Sequence, residues 1–332
     1  MPTTIAEVAA RAGVSIATVS RVLAGMPGAR PETRERVLAV ARELRYRPSG
    51  VAQSLKRRAT RTLGLIITDI ANPFFPDLVR AVEDAAREAG YTVLLCNGAD
   101  DPEREAAYLE LLASRRVDGM IVASSALTER HGRWLATAPL PAVLVNCADA
   151  EGRLPAILSD SRDGGRQAAA HLLGLGHGQL GHIRGPRPHA AAAERHAGVL
   201  DALADAGVDQ QTLVVVEGDG HVAGGERAAR ELLRLAPNTT AMACYNDLTA
   251  IGALRAVRAL GLAAPGDVSV VGFDDIDLAR YVDPPLTTIA QQTEHMGRWA
   301  VRALIGGDGP SPGAEMLPVH LVVRGSTAPP RG

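Results

Sequence analysis

From Leu63 onward the chain alternates short β-branched apolar runs with amphipathic Ala/Leu/Arg segments, and this alternation constrains the fold more than any other feature. The runs are LGLIIT at 63–68, YTVLL at 91–95, GMIVAS at 119–124 and PAVLV at 141–145. The segments between them, such as 77–89 and 102–114, have helical period and length. Strands joined by helices of that length are parallel, with helices on the sheet faces. The pattern then recurs with LGHI near 180–183, LVVV at 213–216, TAMAC at 240–244 and VSVVGF at 268–273. Two α/β lobes in tandem are therefore expected.

Residues 4–46 follow different rules. Apolar positions at helical spacing predict three short helices, Ile5 to Ala12, Ile16 to Leu23, and Pro31 to about Arg45. Pro31 suits a first turn, and Val37, Leu38, Ala41 and Leu44 give the third helix one apolar stripe. After a Pro-Ser break at 48–49, a basic stretch to Arg61 reads as a linker. Charge separates the parts as clearly as periodicity does. Residues 1–61 hold twelve basic side chains against four acids, net +8, while the remaining 23 basic and 33 acidic residues leave the body at −10. A basic head on an acidic body is the footprint of phosphate contact by the head alone.

Within that head, TIAEVAARAGVSIATVSRVL at 4–23 meets the needs of a tight helix-turn-helix. Ala9 is small where the helices cross, Gly13 can take positive φ in the turn, and Val8, Val14, Val19 and Val22 fill a miniature core. Ser15 is placed to cap the second helix. With this motif and charge, an incidental pair of amphipathic helices is the poorer reading.

On these residues the head resembles the DNA-reading domain of the LacI/GalR family of bacterial regulators. YRPSGVAQSLKRRATRTLGLIITDIANPFF at 46–75 resembles that family's hinge helix and the start of its effector domain. RRVDGMIV at 115–122, LGHGQLGHIRGP at 175–186, CYNDLTAIGALRA at 244–256 and VGFDDIDLARYVDPPLTTI at 271–289 continue the similarity in order. The resemblance implies an all-α helix-turn-helix head (1–47), a hinge helix and linker (48–61), and an α/β two-lobed domain like the periplasmic binding proteins (62–332). The ligand of such a domain sits between the lobes, at the carboxyl ends of the strands.

Carried onto this chain, the resemblance puts the second helix in the major groove of a pseudo-palindromic double-stranded operator. Ile16 and Ala17 then occupy the variable base-reading positions, Arg21 contacts a guanine edge, and Ser15, Thr18 and Ser20 belong to the cap and phosphate contacts. Ile16 and Ala17 carry no hydrogen-bonding side-chain groups, so this operator is expected to depend on Arg21, thymine methyl contact and DNA shape. Ser49 is expected to cap the hinge helix, which runs to about Arg57, and Leu55 matches the residue that wedges into the minor groove. Gly50 stands where an alanine-like residue is expected, which weakens that short helix.

For the effector, the resemblance implies contacts at Phe74, Phe75, Asn146, Arg195, Asn246, Asp274 and Gln291. Arg195 and Asp274 offer charge-assisted bonds to a polyol and the phenylalanines an apolar face, a combination that suits a sugar. Gly220-His221 stands where many sugar-binding members carry an aromatic residue. A nucleobase or nucleoside is therefore the alternative effector. Asn246 could instead only cap a helix, Asp274 only pair with a cation, and the phenylalanines only fill a core. A homodimer is implied, because one head reads one half-site. The C-terminal VVRGSTAPPRG has no leucine heptads for a tetramerising tail.

Other signals point elsewhere only weakly. GHGQLG at 176–181 fits G-x-G-x-x-G, yet it follows a helix and leads into a strand, the reverse of a dinucleotide site. His171, His177, His182, His189 and His196 lie close in sequence but lack metal-ligand spacing, so neither a metal nor another cofactor is expected. The Asp274-Asp275 pair comes with no nucleophile or base, so no enzymatic activity is expected. Cys96, Cys147 and Cys244 look like small buried hydrophobes rather than a disulfide framework. No export signal or membrane span is read, and a cytoplasmic location is expected. A two-lobed solute-binding protein is the alternative class, for which the basic head is out of place.

Overall fold

The computed structural model describes residues 3–46, 59–124, 126–138, 140–149, 151–187, 189–306 and 313–331. The hinge-helix reading, with Ser49, Gly50, Leu55 and Arg57, lies outside the described residues. The chain divides into two compact units, Met1–Arg61 and Thr62–Gly332.

In the first unit, Thr4 and Glu7 bond reciprocally across the start of α1 (Ile5–Ala12), the capping arrangement that satisfies orphan amides. Gly13 ends α1 at φ 63, and two residues later Ser15 caps α2 (Ile16–Leu23) by accepting from the Thr18 amide at 3.2 Å. Pro31 opens α3 (Pro31–Glu43). The third helix stops before the expected Arg45, which has left-handed φ 49. Val8, Ala9, Ala12, Val19, Val22, Val37 and Ala41 are buried together, so three short helices share one core.

The second unit is two lobes. The first is a parallel six-stranded sheet in the order β11-β5-β4-β3-β1-β2. Its strands are β1 (Thr62–Ile67), β2 (Thr92–Asn97), β3 (Gly119–Ala123), β4 (Ala142–Val145), β5 (Pro155–Ser159) and β11 (Gly313–Leu317). Helices α4 (Phe74–Glu88), α5 (Pro102–Ser114), α6 (Glu129–Thr137) and α11 (Thr293–Ile305) accompany it. β3 and β4 are buried throughout, which is why they read as unbroken apolar runs.

The other lobe is a parallel sheet in the order β7-β6-β8-β9 with an antiparallel β10-β12 pair. These are β6 (Leu180–Arg184), β7 (Val214–Glu217), β8 (Ala241–Cys244), β9 (Ser269–Val271), β10 (Thr288–Ala290) and β12 (His320–Val322). Helices α7 (Ser161–Gly174), α8 (Ala190–Asp205), α9 (Val222–Leu235) and α10 (Asp247–Ala259) flank it. The chain passes between lobes three times, after β5, between β10 and α11, and between β11 and β12.

Two expectations shift. The helix read from residue 77 starts at Phe74, because Asn72 Oδ1 accepts from the Phe74 amide at 3.1 Å and builds an earlier turn. The run at 268–273 yields a strand of only three residues, since the Gly272 amide turns to Thr287 and the Phe273 carbonyl to Asp247. The three cysteines are buried and unpaired by disulfides.

Candidate functional site

On the head, residues 16, 17, 20 and 21 share one face of α2, opposite the buried Val19 and Val22. Ile16 is 51% exposed although it is large and apolar. Ser15 and Ala17 are exposed, and Thr18 and Ser20 half-buried. The Thr18 hydroxyl lies 2.9 Å from that of Ser15, so it is already engaged in the cap. The Arg21 side chain is exposed and makes no hydrogen bond or ion pair among the described residues. In contrast, Arg11 pairs with Glu43, Arg34 donates to the Met26 carbonyl and Arg36 to that of Ala12.

Between the lobes, the carboxyl ends of the strands border a cleft. All seven residues expected there line it, brought from β4, α4, α8 and the ends of β8, β9 and β10. Arg195 is positioned by helix packing. A Cβ at Gly165 on α7 would come within 2.1 Å of the Arg195 carbonyl oxygen, so glycine alone lets α8 approach this closely. The buried Arg195 guanidinium then sits 3.5 Å from the Phe273 ring centroid and 4.9 Å from that of Tyr245. Its Nη1 donates to the Tyr245 carbonyl at 2.6 Å, its Nη2 to Asp274 at 3.5 Å, and its buried Nε has no partner among the described residues.

Asp274 follows β9 with φ 119, a conformation costing about 1–3 kcal/mol that its surroundings must impose. Gln291 Nε2 donates to its Oδ1 at 2.6 Å. Burial pushes the Asp274 carboxyl up to about 6, against the pull of Arg195 and Gln291. Beneath it, the buried Asp247 carboxylate accepts from the Ile276 amide at 2.9 Å and the Thr288 hydroxyl at 2.5 Å. Burial and the Asp274 charge hold Asp247 well above the usual carboxylate range.

The remaining expected contacts are less free than their residue types suggest. Asn246 caps α10, accepting from the Thr249 amide at 2.9 Å and hydroxyl at 2.7 Å while donating to the Gly220 carbonyl at 2.9 Å. Phe74 and Phe75 are buried and meet edge to face at 5.2 Å. Their rings complete the core as well as the cleft wall. Asn146, at φ 52, donates to Gln291.

The cleft also holds residues that the sequence reading missed. Tyr245 follows β8 and packs against the spot vacated by the side-chain-free Gly220, 3.5 Å from where a Cβ would stand. An aromatic thus reaches the place where the sequence offers only Gly220-His221. Asp69 and Asp100 come from one lobe, and His189 and His221 from the other, with His189–Asp100 and His221–Asp69 separations of 3.8 Å. The available signal was position: all of these directly follow strands or precede helices at the carboxyl edge of the sheets.

Residues 4–49 match the family model of bacterial regulatory proteins of the lacI family. Residues 60–306 match the model of periplasmic binding proteins and the sugar-binding domain of the LacI family. The ribose operon repressor of Halalkalibacterium halodurans is 38% identical over 328 residues, 98% of this chain and 97% of the relative. The HTH-type transcriptional repressor PurR of Aliivibrio fischeri strain ES114 is 37% identical over 305 residues, 91% of this chain and 90% of the relative. Among solved structures, the lac repressor dimer bound to operator and the anti-inducer ONPF superimposes with TM-score 0.88 at 31% identity, covering 99% of this chain and all of that one. A regulator from Enterococcus faecium with bound ribose gives 0.74 at 31% identity over 81% of this chain and 99% of that one.

Proposed function

Because the chain belongs to the LacI family of bacterial regulatory proteins, and is a DNA-binding transcription regulator with an effector domain, we propose that it represses its target promoters under control of a free sugar. The observation that carries the sugar reading is that the aromatic rings near the cleft are already engaged by protein groups. Phe273 and Tyr245 are covered by Arg195, and Phe74 and Phe75 pack on each other. A nucleobase needs an open face to stack on, whereas a polyol needs the carboxylate, amide and guanidinium groups present in the cleft. The relatives do not choose between effectors, since repressors with both names are about equally similar. Geometry does.

DNA is read as a two-fold operator by paired heads, with Arg21 as the principal base reader and Leu55 as the minor-groove wedge. The homodimer has support in surface chemistry as well as in the dimeric lac repressor. Leu94 and Leu95 on the edge strand β2, together with Leu278 and the 75% exposed Tyr281, are large apolar side chains left in solvent by a single copy. No helix among the described residues is long and apolar enough to cross a membrane. The protein acts in the cytoplasm, where the chromosome is. Its cleft binds without catalysing.

The test is selection of operator from random DNA by the full chain, followed by titration of the complex with D-ribose, other free sugars, nucleobases and nucleosides. Release or tightening by a free sugar alone is the expected result. A response confined to nucleobases or nucleosides overturns the sugar reading and leaves the regulator intact.

A further inference from the structure

The groups expected to hold the effector are bonded to one another across the gap between lobes, and one side chain makes the link. Gln291 lies in the segment that joins β10 to α11. Its Nε2 donates to Asp274 of one lobe at 2.6 Å. Its Oε1 accepts from two groups of the other lobe, the Ser159 hydroxyl at 2.6 Å and Asn146 Nδ2 at 2.9 Å. Asn146 is fixed in turn by the Ser159 amide, which donates to its Oδ1 at 2.8 Å. Both outer members, Asn146 and Asp274, have left-handed φ, so their placement depends on partners rather than on local preference.

Ser159 differs from the other members. It is the last residue of β5, where the chain begins its first passage between lobes, and it is 5% exposed and absent from the cleft wall. An Oε1 with two donors cannot rotate away without breaking both bonds, one of them from the buried Ser159 hydroxyl, so Gln291 is held with its amide toward Asp274. An effector that engages the Asp274 carboxylate competes with that amide. Any displacement is then felt at Asn146 and at Ser159, where the first inter-lobe passage starts.

We propose that Ser159 is a positioning residue of the switch: through Gln291 it sets the ligand-free arrangement of the lobes and transmits engagement of Asp274 to the lobe that carries Asn146. The inference rests on the reading of the cleft as the effector site, and it adds a residue that touches no effector.

The experiment uses the full chain as its homodimer, with one protomer labelled for single-molecule energy transfer at Ala107→Cys on α5 and Ala193→Cys on α8, and the other unlabelled. Both positions are exposed, and the native cysteines are buried. Without effector, Ser159→Ala should shift or broaden the lobe-to-lobe distribution, and Ser159→Thr, which keeps the hydroxyl, should restore it. Gln291→Ala should give the same shift, and the double variant should be no worse than either single change, because one linkage is being removed twice. A purely structural serine would lower the melting temperature and add to the Gln291 effect. An unchanged distribution in Ser159→Ala, or additive shifts in the double variant, overturns the proposal. D-ribose is titrated in the same samples. If the wild-type distribution ignores ribose, the ribose form of the sugar reading fails, while the ligand-free comparison still decides the linkage. If ribose moves the wild type, Ser159→Ala should bind ribose within about twofold of wild type yet lose the shift.

Discussion

Arg21 stands in solvent without a partner among the described residues, whereas Arg195 is buried against two aromatic rings and two acceptors. The same side chain is thus free to contact a new surface in one place and is preorganised in the other. Arg21→Ala should weaken operator binding by about 1–3 kcal/mol and relax preference at one base pair, while removing a hinge charge such as Arg57 should weaken all DNA alike and lower the salt slope. Binding measured on operator and random DNA across salt concentrations separates the two, and equal losses for Arg21→Ala would end its assignment as a base reader. Asp274 carries a pH prediction. Its carboxyl titrates at about 6 when buried, so it is a full acceptor only above that pH. Effector affinity should fall as pH drops through 6, and Asp274→Asn should remove that dependence. What could be read at this scale was residue type and place in a motif. Ser159 and Tyr245 escaped because their roles depend on partners 132 residues away in one case and on the space above Gly220 in the other.

Elements with local signals were legible, and elements defined by distant partners were not. α1 and α2 fall where the reading put them, because Thr4, Gly13 and Ser15 mark their ends chemically. β10 and β12 have three residues each and β11 finds its partner β5 far back in the chain, so no periodicity could reveal them. β5, at PAILS, is a clear apolar run that the reading passed over. The packing of α7 on α8 yields a stability prediction. A Cβ at Gly198 would lie 1.9 Å from the Arg162 carbonyl oxygen, and that atom is backbone. Gly198→Ala should therefore destabilise by more than the about 1–3 kcal/mol typical of overpacking, a loss checked by denaturant melts. β6 supplies a second. His182 is fully buried in a stack with His196 at 5.2 Å, and burial lowers its titration from 6.5 to about 4. Its neutral form is required by the fold, so the stability it supports is complete above pH 6.5 and is lost as pH falls toward 4. The loss should reach about 2 kcal/mol at pH 5. The buried Asp274 acts in the opposite sense between 3.8 and about 6, where the unfolded chain ionises first. Comparing wild type with His182→Gln at pH 7 and pH 5 isolates the histidine, whose removal should shrink the loss on acidification by about 2 kcal/mol, while His131, His171, His177 and His196, which burial also shifts downward, still contribute theirs. An unchanged pH slope would show that His182 does not govern it.

At the scale of the molecule, the sequence announced two lobes and a basic head, but not how the lobes are joined. Three passages and a polar linkage through Gln291 tie the cleft to the hinge between lobes. An effector can change DNA affinity only by binding two lobe arrangements unequally, so the residues that grip it must be separable from those that hold the fold. Arg195 is the strictest test of that separation, because it belongs to helix packing, to aromatic contact and to the expected effector site at once. Arg195→Lys keeps the charge and the aliphatic stem but loses the planar fork that spans the Tyr245 carbonyl and Asp274. If Arg195 serves the effector, this change should cost about tenfold or more in sugar affinity and abolish the sugar-dependent shift in operator affinity. Operator affinity without sugar should stay within about twofold, and the melting temperature within about 4 °C of wild type, a shift corresponding to about 1–2 kcal/mol for an effector domain of this size. If instead Arg195 is only a strut between α8, Tyr245 and Asp274, melting temperature and operator affinity should fall together while sugar affinity falls only in proportion to the folded fraction. Measuring all three quantities on one preparation decides between them.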